Sequence, residues 1–547
     1  MVRGYTLFGE ALQREGVDTG FYIMGAPIND ALKAAMARGV RMIDTRHEQA
    51  AAMAAQAYAR VSGKPGLCMG ASGPGTINLT LGLANALVDC APVVAFGGSS
   101  SVSQYLVGSF QEIDQVAIMR PVTKWAERVY EARRIPEYVN MALRRAMSGK
   151  PGPVYIDLPT DVLYAEVDEA DVVWPKTPAH SAKSRPAAPA ASIAQVADAL
   201  ARAERPVIVT GSGILWSQAS GELNSFVDAT GIPFYTTPQG RGVIPEDHAY
   251  FYGHARSTAF KEADLVLVVG TRLNYVVSHA RPPRFAESAT IVQIDVDPDG
   301  IAANDRVDIP IVADAAAALQ QLLDAVKAFA DPKAFASWRE KLAAIERSRA
   351  PRHEETISTD QTPIHPQRLC KEVRDFIDRD AILVVDGQEI LNYGRQSIPS
   401  FLPGHRLNSG PFGTMGVGMP FGLGAKAASP GSQVVVLHGD GSFGLNAMEL
   451  DTLVRHRLPV LVVISLNGGW TADPEKTKPG RDLGYTRYDK MAEALGCHGE
   501  YVERPEDIKS ALERAAAAVA AGTTALVNVV TDWRALSTTA SFTAYRT

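Results

Sequence analysis

The stretch at residues 438–450, HGDGSFGLNAMEL, constrains the fold of this chain more than any other. The residues before it, VVVL at 434–437, are typical of a buried strand. The Gly-Asp-Gly at 439–441 predicts a tight turn in which backbone N–H groups can approach phosphate oxygens. We expect a helix from about residue 445 to 457, with its positive end pointing at the same place. A strand, a glycine turn and a helix in this order indicate an α/β sheet with an anion site at its edge.

A second polar side chain follows the next predicted strand. The apolar run at 459–466 ends at Asn467, so Asp440 and Asn467 can meet at neighbouring strand ends. One carboxylate and one amide oxygen suit a hard cation such as Mg²⁺, which completes its octahedron with backbone carbonyl, phosphate oxygens and water. The alternative is an ordinary strand–turn–helix with a solvated Asp. A lone Gly-Asp-Gly favours that alternative, and the paired Asn favours the metal site.

Length and composition limit the class of protein. The chain has 547 residues, enough for three domains of ~150 residues each. With 46% hydrophobic residues, 21% charged residues and a net charge of -6, it is a soluble globular protein with no electrostatic case for nucleic acid or an anionic membrane. No apolar run is long enough for a membrane span, and the N-terminus is typical of a first helix, not a signal peptide. The four cysteines are far apart and lack metal-ligand spacing, so we expect buried, reduced thiols and a cytoplasmic protein.

Short apolar strands alternate with helical segments along the chain. This alternation predicts an α/β protein with three doubly wound parallel-sheet domains. We place the N-terminal domain at 1–165, the middle domain at 190–330 and the C-terminal domain at 363–547. A polar Ala/Pro/Ser-rich stretch at 175–192 marks the first linker.

The spacing and residue types of Asp440 and Asn467 resemble the metal–diphosphate motif of the thiamine diphosphate enzymes. In that motif the two side chains and the carbonyl two residues beyond the Asn bind the metal, which implies Asp440, Asn467 and Gly469 as ligands of Mg²⁺. The usual motif has two adjacent asparagines, whereas this chain has Leu466-Asn467 and retains only the ligating one. The resemblance also implies diphosphate contacts from Gly441, Ser442 and Asn467.

The cofactor of this family needs a buried acid beside its aminopyrimidine ring. The segment RHEQAAAMAAQAYAR resembles the family's segment around its essential Glu, which implies this role for Glu48. The alternative is a surface glutamate that caps the helix.

Further cofactor contacts come from the same resemblance. Gly413 is expected to accept a hydrogen bond from the amino group of the cofactor, and Met415 to separate its two rings, although such a Met is otherwise a core filler. The stretch at 71–98 resembles the Gly-rich loop and helix of the N-terminal domain, which includes Gly73. Gln388 is placed to contact the diphosphate, although loop glutamines usually contact water.

Two middle-domain runs, GTRLNYVVSH and YTTPQGRGVIPEDH, resemble the branch of 2-hydroxyacyl-CoA lyases and oxalyl-CoA decarboxylases. The implied reaction is the reversible cleavage of a 2-hydroxyacyl-CoA to formyl-CoA and a ketone or aldehyde. The resemblance implies a homodimer at minimum and commonly a homotetramer, with each cofactor held between two subunits. It also allows ADP or another nucleotide in the middle domain, where Asp295 and Asp297 either hold a ribose or cap a loop.

Substrate contacts are expected from several segments. Gln111 and Glu112 occupy the region where this branch positions the reacting thioester, with Gln111 also a candidate catalytic residue, and Ala26, Pro27 and Ile28 are expected to form an adjacent wall. Glu493 is either the acceptor of the 2-hydroxyl proton or a helix glutamate in a salt bridge. Trp470 either shapes the pocket for the leaving carbonyl or belongs to the core.

Coenzyme A needs cations for its phosphates. Five arginines lie in segments that the branch uses for this purpose, and we select Arg256 and Arg406 from them; the five are Arg256, Arg281, Arg284, Arg395 and Arg406. Each could instead be a solvated surface arginine. The tail at 536–547 resembles the C-terminal lid of the branch, although terminal residues are usually disordered.

Three other functions stay open. The first is an oxalyl-CoA decarboxylase, and the second is an acetolactate synthase-like carboligase acting on 2-keto acids. The segment after Asn467, GGWTADPEKTKPGRD, lacks the Met- and Trp-bearing run of those synthases. The third is a non-catalytic cofactor-binding homologue, which would have a broken acid or metal site, whereas Glu48, Asp440 and Asn467 are all present.

Overall fold

Three parallel β-sheets, each with its own helices, form the body of the protein. A computed structural model describes residues 1–179, 185–327 and 330–537. The three sheets confirm the predicted α/β class. Of the expected lid at 536–547, only residues 536 and 537 belong to the described part of the chain.

The N-terminal sheet has six strands in the order β3-β2-β4-β5-β7-β6, and every neighbouring pair is parallel. Two short strands, β1 and β8, pair antiparallel beside it. The strands are β1 Val2–Arg3, β2 Thr19–Tyr22, β3 Arg41–Asp44, β4 Gly66–Gly70, β5 Val93–Ser99, β6 Trp125–Arg128, β7 Val154–Pro159 and β8 Glu166–Val167. The helices are α1 Gly4–Arg14, α2 Asn29–Ala37, α3 Glu48–Ser62, α4 Pro74–Ile77, α5 Thr80–Val88, α6 Gln115–Met119, α7 Ile135–Met147 and α8 Thr160–Tyr164.

The middle sheet has five parallel strands in the order β10-β9-β11-β12-β13. The strands are β9 Pro206–Thr210, β10 Phe234–Thr236, β11 Leu265–Val269, β12 Thr290–Asp295 and β13 Ile309–Val312. The helices are α9 Ala190–Arg202, α10 Ser212–Ser217, α11 Ser220–Thr230, α12 Arg256–Glu262, α13 Pro298–Ala302 and α14 Ala315–Val326. A long helix, α15 Ala336–Ile357, follows this domain.

The C-terminal sheet has six parallel strands in the order β15-β14-β16-β17-β19-β18. The strands are β14 Ile382–Asp386, β15 Arg406–Leu407, β16 Val434–Gly439, β17 Leu461–Leu466, β18 His498–Val502 and β19 Ala525–Val530. The helices are α16 Pro366–Phe376, α17 Glu389–Ser397, α18 Gly418–Ala428, α19 Asp440–Leu445, α20 Glu449–Arg455, α21 Tyr488–Ala494 and α22 Ile508–Ala520.

The helix predicted after the glycine turn differs in the structure. A helix begins at Asp440 inside the turn itself, ends at Leu445, and is followed after a break by α20. The predicted helix at about 445–457 therefore contains α20, but the prediction misses α19 and the break between the two helices. Because α19 begins at Asp440, the N–H groups of its first turn lie at the carboxyl end of β16, where the anion site was expected.

The N- and C-terminal domains are joined by two closely packed helices. Helix α3 is rich in alanine, and its residues from Ala50 to Arg60 are all buried. It packs against α18, where a Cβ on Gly424 would lie 2.1 Å from the carbonyl oxygen of Ala54. Small side chains on both helices allow this close approach of the two domains.

Two expectations from composition concern cysteines and membranes. All four cysteines are buried and unpaired, as predicted. Among the described residues, none forms a helix that is both long and apolar enough to cross a membrane.

Candidate active site

Glu48 is the first residue of α3 and follows the edge strand β3. The helix begins here because His47 is extended and its Nδ1 accepts the N–H of Gln49 at 3.1 Å. The Glu48 side chain is buried, with 9% exposed, and its Oε2 accepts a hydrogen bond from Asn78 Nδ2 at 3.0 Å. Glu48 is therefore a buried acid and not a surface glutamate.

The glycine-rich loop after β4 lies against Glu48. A Cβ on Gly75 would lie 3.3 Å from Glu48 Oε1, and a Cβ on Gly73 would lie 2.5 Å from the carbonyl oxygen of Gln111. Gly73 has a φ of 61°, which favours glycine, and its N–H donates to Gln115 Oε1 at 2.5 Å. The structure thus brings Glu48, Gly73 and the backbone of Gln111 to one place at the carboxyl edge of the sheet.

Of residues 26–28, which were expected to line the substrate site, only Ala26 is exposed. The carbonyl of Ala26 accepts the N–H of Ser72 at 3.1 Å, so Ala26, which is exposed, borders the glycine-rich loop. Pro27 is buried against Gly98. Ile28 is fully buried in the hydrophobic core, so the prediction that it contacts substrate is wrong.

Glu112 stabilises its own loop. Its carboxylate accepts the backbone N–H groups of Leu106, Gly108 and Ser109, the latter two at 2.9 Å. These hydrogen bonds lower the pKa of Glu112, the bond from Leu106 contributing most. The carboxylate of Glu112 is thus held by its own loop, and its predicted contact with substrate stays a prediction.

Asp440 begins α19 and is almost completely buried, with 2% exposed. Burial raises the pKa of its carboxyl to about 7, although the N–H groups of Gly441 and Gly469 act in the opposite direction. Its Oδ2 has no hydrogen-bond partner. A buried carboxylate oxygen without a partner is costly, and a bound cation would remove that cost.

The other two expected metal ligands lie beside Asp440. Asn467 follows β17, and its Oδ1 accepts the N–H of Gly469 at 3.1 Å. Within the described ranges, no group of three His, Cys, Asp or Glu side chains could hold a metal. The donor set at this place is therefore one carboxylate, one amide oxygen and one backbone carbonyl, which is the set of a hard cation.

Arg481 fixes the segment that follows the expected metal ligand Asn467, and no pattern in the sequence indicates this role. Its guanidinium is nearly buried and donates to the carbonyls of Asn467 at 2.9 Å, Gly468 at 3.2 Å and Thr471 at 2.7 Å. This arginine therefore holds Gly469 in register through backbone groups on both sides of it.

Trp470 packs on the glycine turn. A Cβ on Gly441 would lie 2.7 Å from the indole ring, so only glycine fits there. Trp470 is partly exposed, so it is not a core residue. The hydroxyl of Ser442 lies within hydrogen-bond distance of two carbonyl oxygens that share its single proton, those of Gly439 at 2.9 Å and Asp386 at 3.2 Å. The expected diphosphate contact of Ser442 stays a prediction.

The loop before α18 contains Gly413 and Met415. Gly413 has a φ of 74° and an open side, since a Cβ there would meet nothing within 4 Å. Met415 is only partly buried, which excludes the core-filler alternative. Gln388 lies partly exposed between β14 and α17 at the same edge of the sheet.

Glu493 lies on the protein surface and forms an ion pair within its own helix. It is on the exposed face of α21, and Lys490 Nζ donates to both of its carboxylate oxygens at 2.9 Å. The alternative of a helix salt bridge describes it, and its expected role as proton acceptor is withdrawn.

A cluster of arginines lies between the middle and C-terminal domains. Nitrogen atoms of Arg256, Arg395 and Arg406 are buried without a hydrogen-bond partner. Burial, followed by neighbouring guanidinium groups, lowers the pKa of Arg256 and of Arg395 to about 10. Arg241 is paired with the one carboxylate of the cluster, Glu246. The cluster therefore holds more buried cations than anions.

The five candidate arginines, of which Arg256 and Arg406 are the two that we select from the sequence, separate into two groups. Arg256, Arg284 and Arg395 belong to this cluster and are partly exposed, whereas Arg406 is buried at 3% exposed and reaches solvent least. Arg281 lies on the surface and pairs with Asp305 at 2.5 Å. The sequence could not distinguish Arg395 from Arg281.

The two aspartates of the middle domain are both engaged within the chain. Asp295 Oδ1 accepts the N–H of Asp297 at 3.0 Å, which is the loop-capping alternative. Asp297 Oδ2 accepts a hydrogen bond from Lys150 Nζ of the N-terminal domain at 2.7 Å. These contacts fix the middle domain against the N-terminal domain.

The acid and the metal ligands lie in different domains of one chain. Across the residues that the structure describes, no hydrogen bond or ion pair joins Glu48 to the C-terminal domain. The neighbouring Arg46 instead donates its N–H to Glu449, and Arg455 pairs with Asp44. Within one chain, these contacts fix the N-terminal domain against the C-terminal domain on either side of Glu48.

Comparison with known proteins identifies the family. The chain matches the N-terminal TPP binding domain of thiamine pyrophosphate enzymes at residues 2–118, the central domain at 193–322 and the C-terminal TPP binding domain at 392–529. It is 34% identical to the 2-hydroxyacyl-CoA lyase of Arabidopsis thaliana, covering 97% of this chain and 96% of the relative. It is also 34% identical to the oxalyl-CoA decarboxylase of Escherichia coli K12, covering 97% and 95%. The same identity, over 96% and 95%, relates it to an acetolactate synthase large subunit of Mycobacterium tuberculosis.

This chain therefore belongs to the thiamine pyrophosphate enzymes. The relatives are lyases, decarboxylases and synthases at equal identity, so identity does not select one reaction.

Proposed function

We propose that this enzyme is a carbon–carbon lyase that reversibly cleaves a 2-hydroxyacyl-CoA to formyl-CoA and a ketone or aldehyde. The observation that carries the proposal is the cluster of buried, unpartnered arginine nitrogens of Arg256, Arg395 and Arg406. Coenzyme A brings phosphates that such cations would pair with, whereas a free 2-keto acid would leave them unpaired.

Residues of this chain fit thiamine diphosphate and Mg²⁺. The unpartnered Oδ2 of Asp440, the amide oxygen of Asn467 and the carbonyl of Gly469 would hold the cation. Gly441 would let the diphosphate approach the first turn of α19. When bound, the cofactor would supply a nucleophilic carbon that adds to a carbonyl group and stabilises negative charge beside it.

The N-terminal domain would bind the other end of the cofactor. Glu48 would hold a proton at the ring nitrogen of the aminopyrimidine, shielded from water by the loop of Gly73. Gly413 would accept from the amino group through its carbonyl, and Met415 would separate the two rings. Gln388 would contact the diphosphate.

A complete site would need two copies of the chain. The loop that carries Gln111 exposes three large apolar side chains, Leu106, Val107 and Phe110, which are 80%, 74% and 83% exposed. Around the metal ligands, Leu445, Met448, Leu483 and Tyr485 are also exposed. Two apolar patches beside two half-sites support a homodimer, or a tetramer of two such dimers, in which each patch covers the other.

The residues around Trp470 support a neutral leaving group. Arg481, a cation near Asp440, already donates to three backbone carbonyls and is not free for a substrate carboxylate. Trp470 presents an apolar, partly exposed ring. This surrounding supports a neutral ketone or aldehyde over an oxalyl carboxylate, with Ala26 and the backbone of Gln111 on the opposite side. The buried, unpaired cysteines support a cytoplasmic location.

The proposal is tested by incubating the purified protein, thiamine diphosphate and Mg²⁺ with a 2-hydroxyacyl-CoA, oxalyl-CoA or pyruvate. Mass spectrometry of the products should show formyl-CoA and a carbonyl compound from the first substrate at the highest rate. Preferred release of CO₂ from oxalyl-CoA, or acetolactate from pyruvate, would replace the proposed reaction by one of the alternatives.

The arginine cluster has a matched test within the same segment. Arg256→Met should raise KM for the acyl-CoA roughly tenfold or more, because charged hydrogen bonds to a phosphate are lost. The control, Arg281→Met, removes an arginine that pairs only with exposed Asp305 and should leave KM unchanged. Equal KM values for the two variants would remove the cluster from the substrate site.

A further inference from the structure

Buried side chains from other parts of the C-terminal domain connect the loop before α18 to the glycine turn at the start of α19. The first loop carries Gly413 and Met415, and the second carries Asp440. Both lie at the carboxyl edge of the C-terminal sheet, one after β15 and the other after β16. Their relative position would set the distance between the two ends of a bound cofactor.

Asp386 is the last residue of β14, and it contacts both loops. Its Oδ2 accepts the N–H of Gly418 at 2.9 Å, and the N–H groups of Gly416 and Val417 also act on the carboxylate. Its backbone carbonyl accepts the hydroxyl of Ser442 at 3.2 Å. One fully buried residue thus contacts the end of the first loop and the beginning of α19.

Asn446 makes the second connection, from the break between α19 and α20. Its Nδ2 donates to the carbonyl of Gly416 at 2.7 Å. Gly416 has a φ of 86°, and a Cβ there would lie 2.8 Å from Leu445 Cβ. The loop therefore lies directly on the residues that follow α19, and the amide of Asn446 fixes the contact.

His438 fills the space between these contacts. A Cβ on Gly418 would lie 2.1 Å from its ring, and its Nδ1 lies 3.2 Å from the hydroxyl of Ser442. The ring is completely buried. Because it packs between the loop and the turn, neither can move without displacing it.

We propose that Asp386 and Asn446 are positioning residues that hold the loop of Gly413 and Met415 at a fixed distance from the metal-binding turn. This inference rests on the proposed function, in which the loop holds the aminopyrimidine and the turn holds the diphosphate. Neither side chain would touch the cofactor, since Asp386 and Asn446 both act on backbone groups of the loop. Their effect would be on proton removal from the thiazolium ring, which depends on the relative position of the two rings.

Hydrogen–deuterium exchange in the protein without cofactor tests the connection itself. In Asn446→Ala and Asp386→Asn, the amides of residues 413–418 should exchange at least about tenfold faster than in the unaltered protein. Asn528→Ala is the matched control, because its Nδ2 also donates to a backbone carbonyl, that of Thr486, at 3.0 Å. That variant should leave exchange of residues 413–418 unchanged.

A second experiment tests whether the connection affects the cofactor. NMR measures how fast the C2 proton of bound thiamine diphosphate exchanges with solvent when no substrate is present. We expect Asn446→Ala to slow this exchange at least about tenfold while cofactor affinity changes less than about threefold. Asn446→Ser, which retains a donor, should recover part of the rate and also serves if the alanine variant does not fold. An unchanged rate in a folded variant, or a loss of affinity that accounts for the slower exchange, would overturn the inference. Failure of the unaltered protein to bind the cofactor would instead overturn the proposed function.

Discussion

The N- and C-terminal domains have the same sheet and different chemistry. In chain order within each domain, β3-β2-β4-β5-β7-β6 and β15-β14-β16-β17-β19-β18 are the same arrangement of six parallel strands. Helix α3 after β3 corresponds to α18 after β15, and these two corresponding helices pack against each other. The two domains are therefore related by an approximate twofold arrangement.

The corresponding loops carry different side chains. After β4 the chain reads GASGPG, and after β16 it reads GDGSFG, so only the second contains a carboxylate at the turn. At the corresponding helix starts, α3 begins with Glu48 and α18 with Gly418. One sheet thus offers a buried acid and the other the oxygen donors of the proposed metal site. The sheet therefore determines where a loop lies, and the residues of the loop determine what it binds.

Glu48→Gln tests the acid half and should have the largest effect. The variant should lose activity by roughly 10²- to 10⁴-fold, because the amide cannot supply a proton to the ring nitrogen. Calorimetry should show that thiamine diphosphate still binds, since the metal half is intact. Retained activity would show that the two domains do not differ as described.

Asp440→Ala tests the metal half. We expect the affinity for thiamine diphosphate in the presence of Mg²⁺ to fall by roughly 100-fold or more, because the cation loses its one carboxylate ligand. Calorimetric titration measures the change. Binding as tight as in Glu48→Gln would contradict the assignment of the cation to this turn.

Gly424→Ala tests the packing of the two corresponding helices. The added Cβ would meet the carbonyl of Ala54, so the free energy of unfolding should fall by about 1–3 kcal/mol in urea titration. The control is Gly431→Ala, where a Cβ would meet nothing within 4 Å. Equal stability of the two variants would show that the domains are not packed through α3 and α18.

Glu449→Gln tests the polar contact between the domains. Burial raises the pKa of Glu449 to about 7 from 4.5, so its protonated form is favoured in the folded state. Titration of Glu449 should therefore lower the free energy of unfolding by roughly 3 kcal/mol as pH rises from about 4.5 to about 7, and the variant should lack this contribution. Unfolding at pH 5 and pH 8 measures both proteins. A pH dependence that is equal in the two would place the titration elsewhere.

Glu493→Ala should have the smallest effect. Its carboxylate pairs with Lys490 on an exposed helix face, and such pairs contribute little. Activity within about twofold of the unaltered enzyme would agree with this position. Loss of cleavage in steady-state assays would restore the catalytic role expected from sequence.

The sequence predicted the features that depend on local patterns. Apolar runs predicted the strands, and the Gly-Asp-Gly turn with Asn467 predicted that Asp440 and Asn467 follow neighbouring strands, because strand ends of a parallel sheet meet at one edge. The burial of Ile28 in the hydrophobic core and the hydrogen bonds of Glu112 to backbone N–H groups are not indicated by the sequence, because both depend on the path of the folded chain.

Long-range contacts explain what the sequence did not predict. Three side chains contact backbone groups that are 10 or more residues away in the sequence, those of Arg481, Asp386 and Asn446. Every residue type has a backbone, so the sequence does not show which backbone group such a side chain will contact. The predicted start of the helix at residue 445 is five residues too late, because the sequence pattern predicts that the glycine turn ends before the helix begins. Glycine and serine in its first turn have poor helix propensity, and tertiary contacts override that preference.

Co-expression of Glu48→Gln and Asp440→Ala chains tests most directly whether the two halves come from different subunits. In a mixed dimer one site would carry both changes and the other would carry neither. With random pairing in equal amounts, about a quarter of the original activity should return in the mixture, although each variant alone is inactive. Activity no higher than that of either variant alone, in a mixture shown by mass spectrometry to contain mixed dimers, would contradict the account.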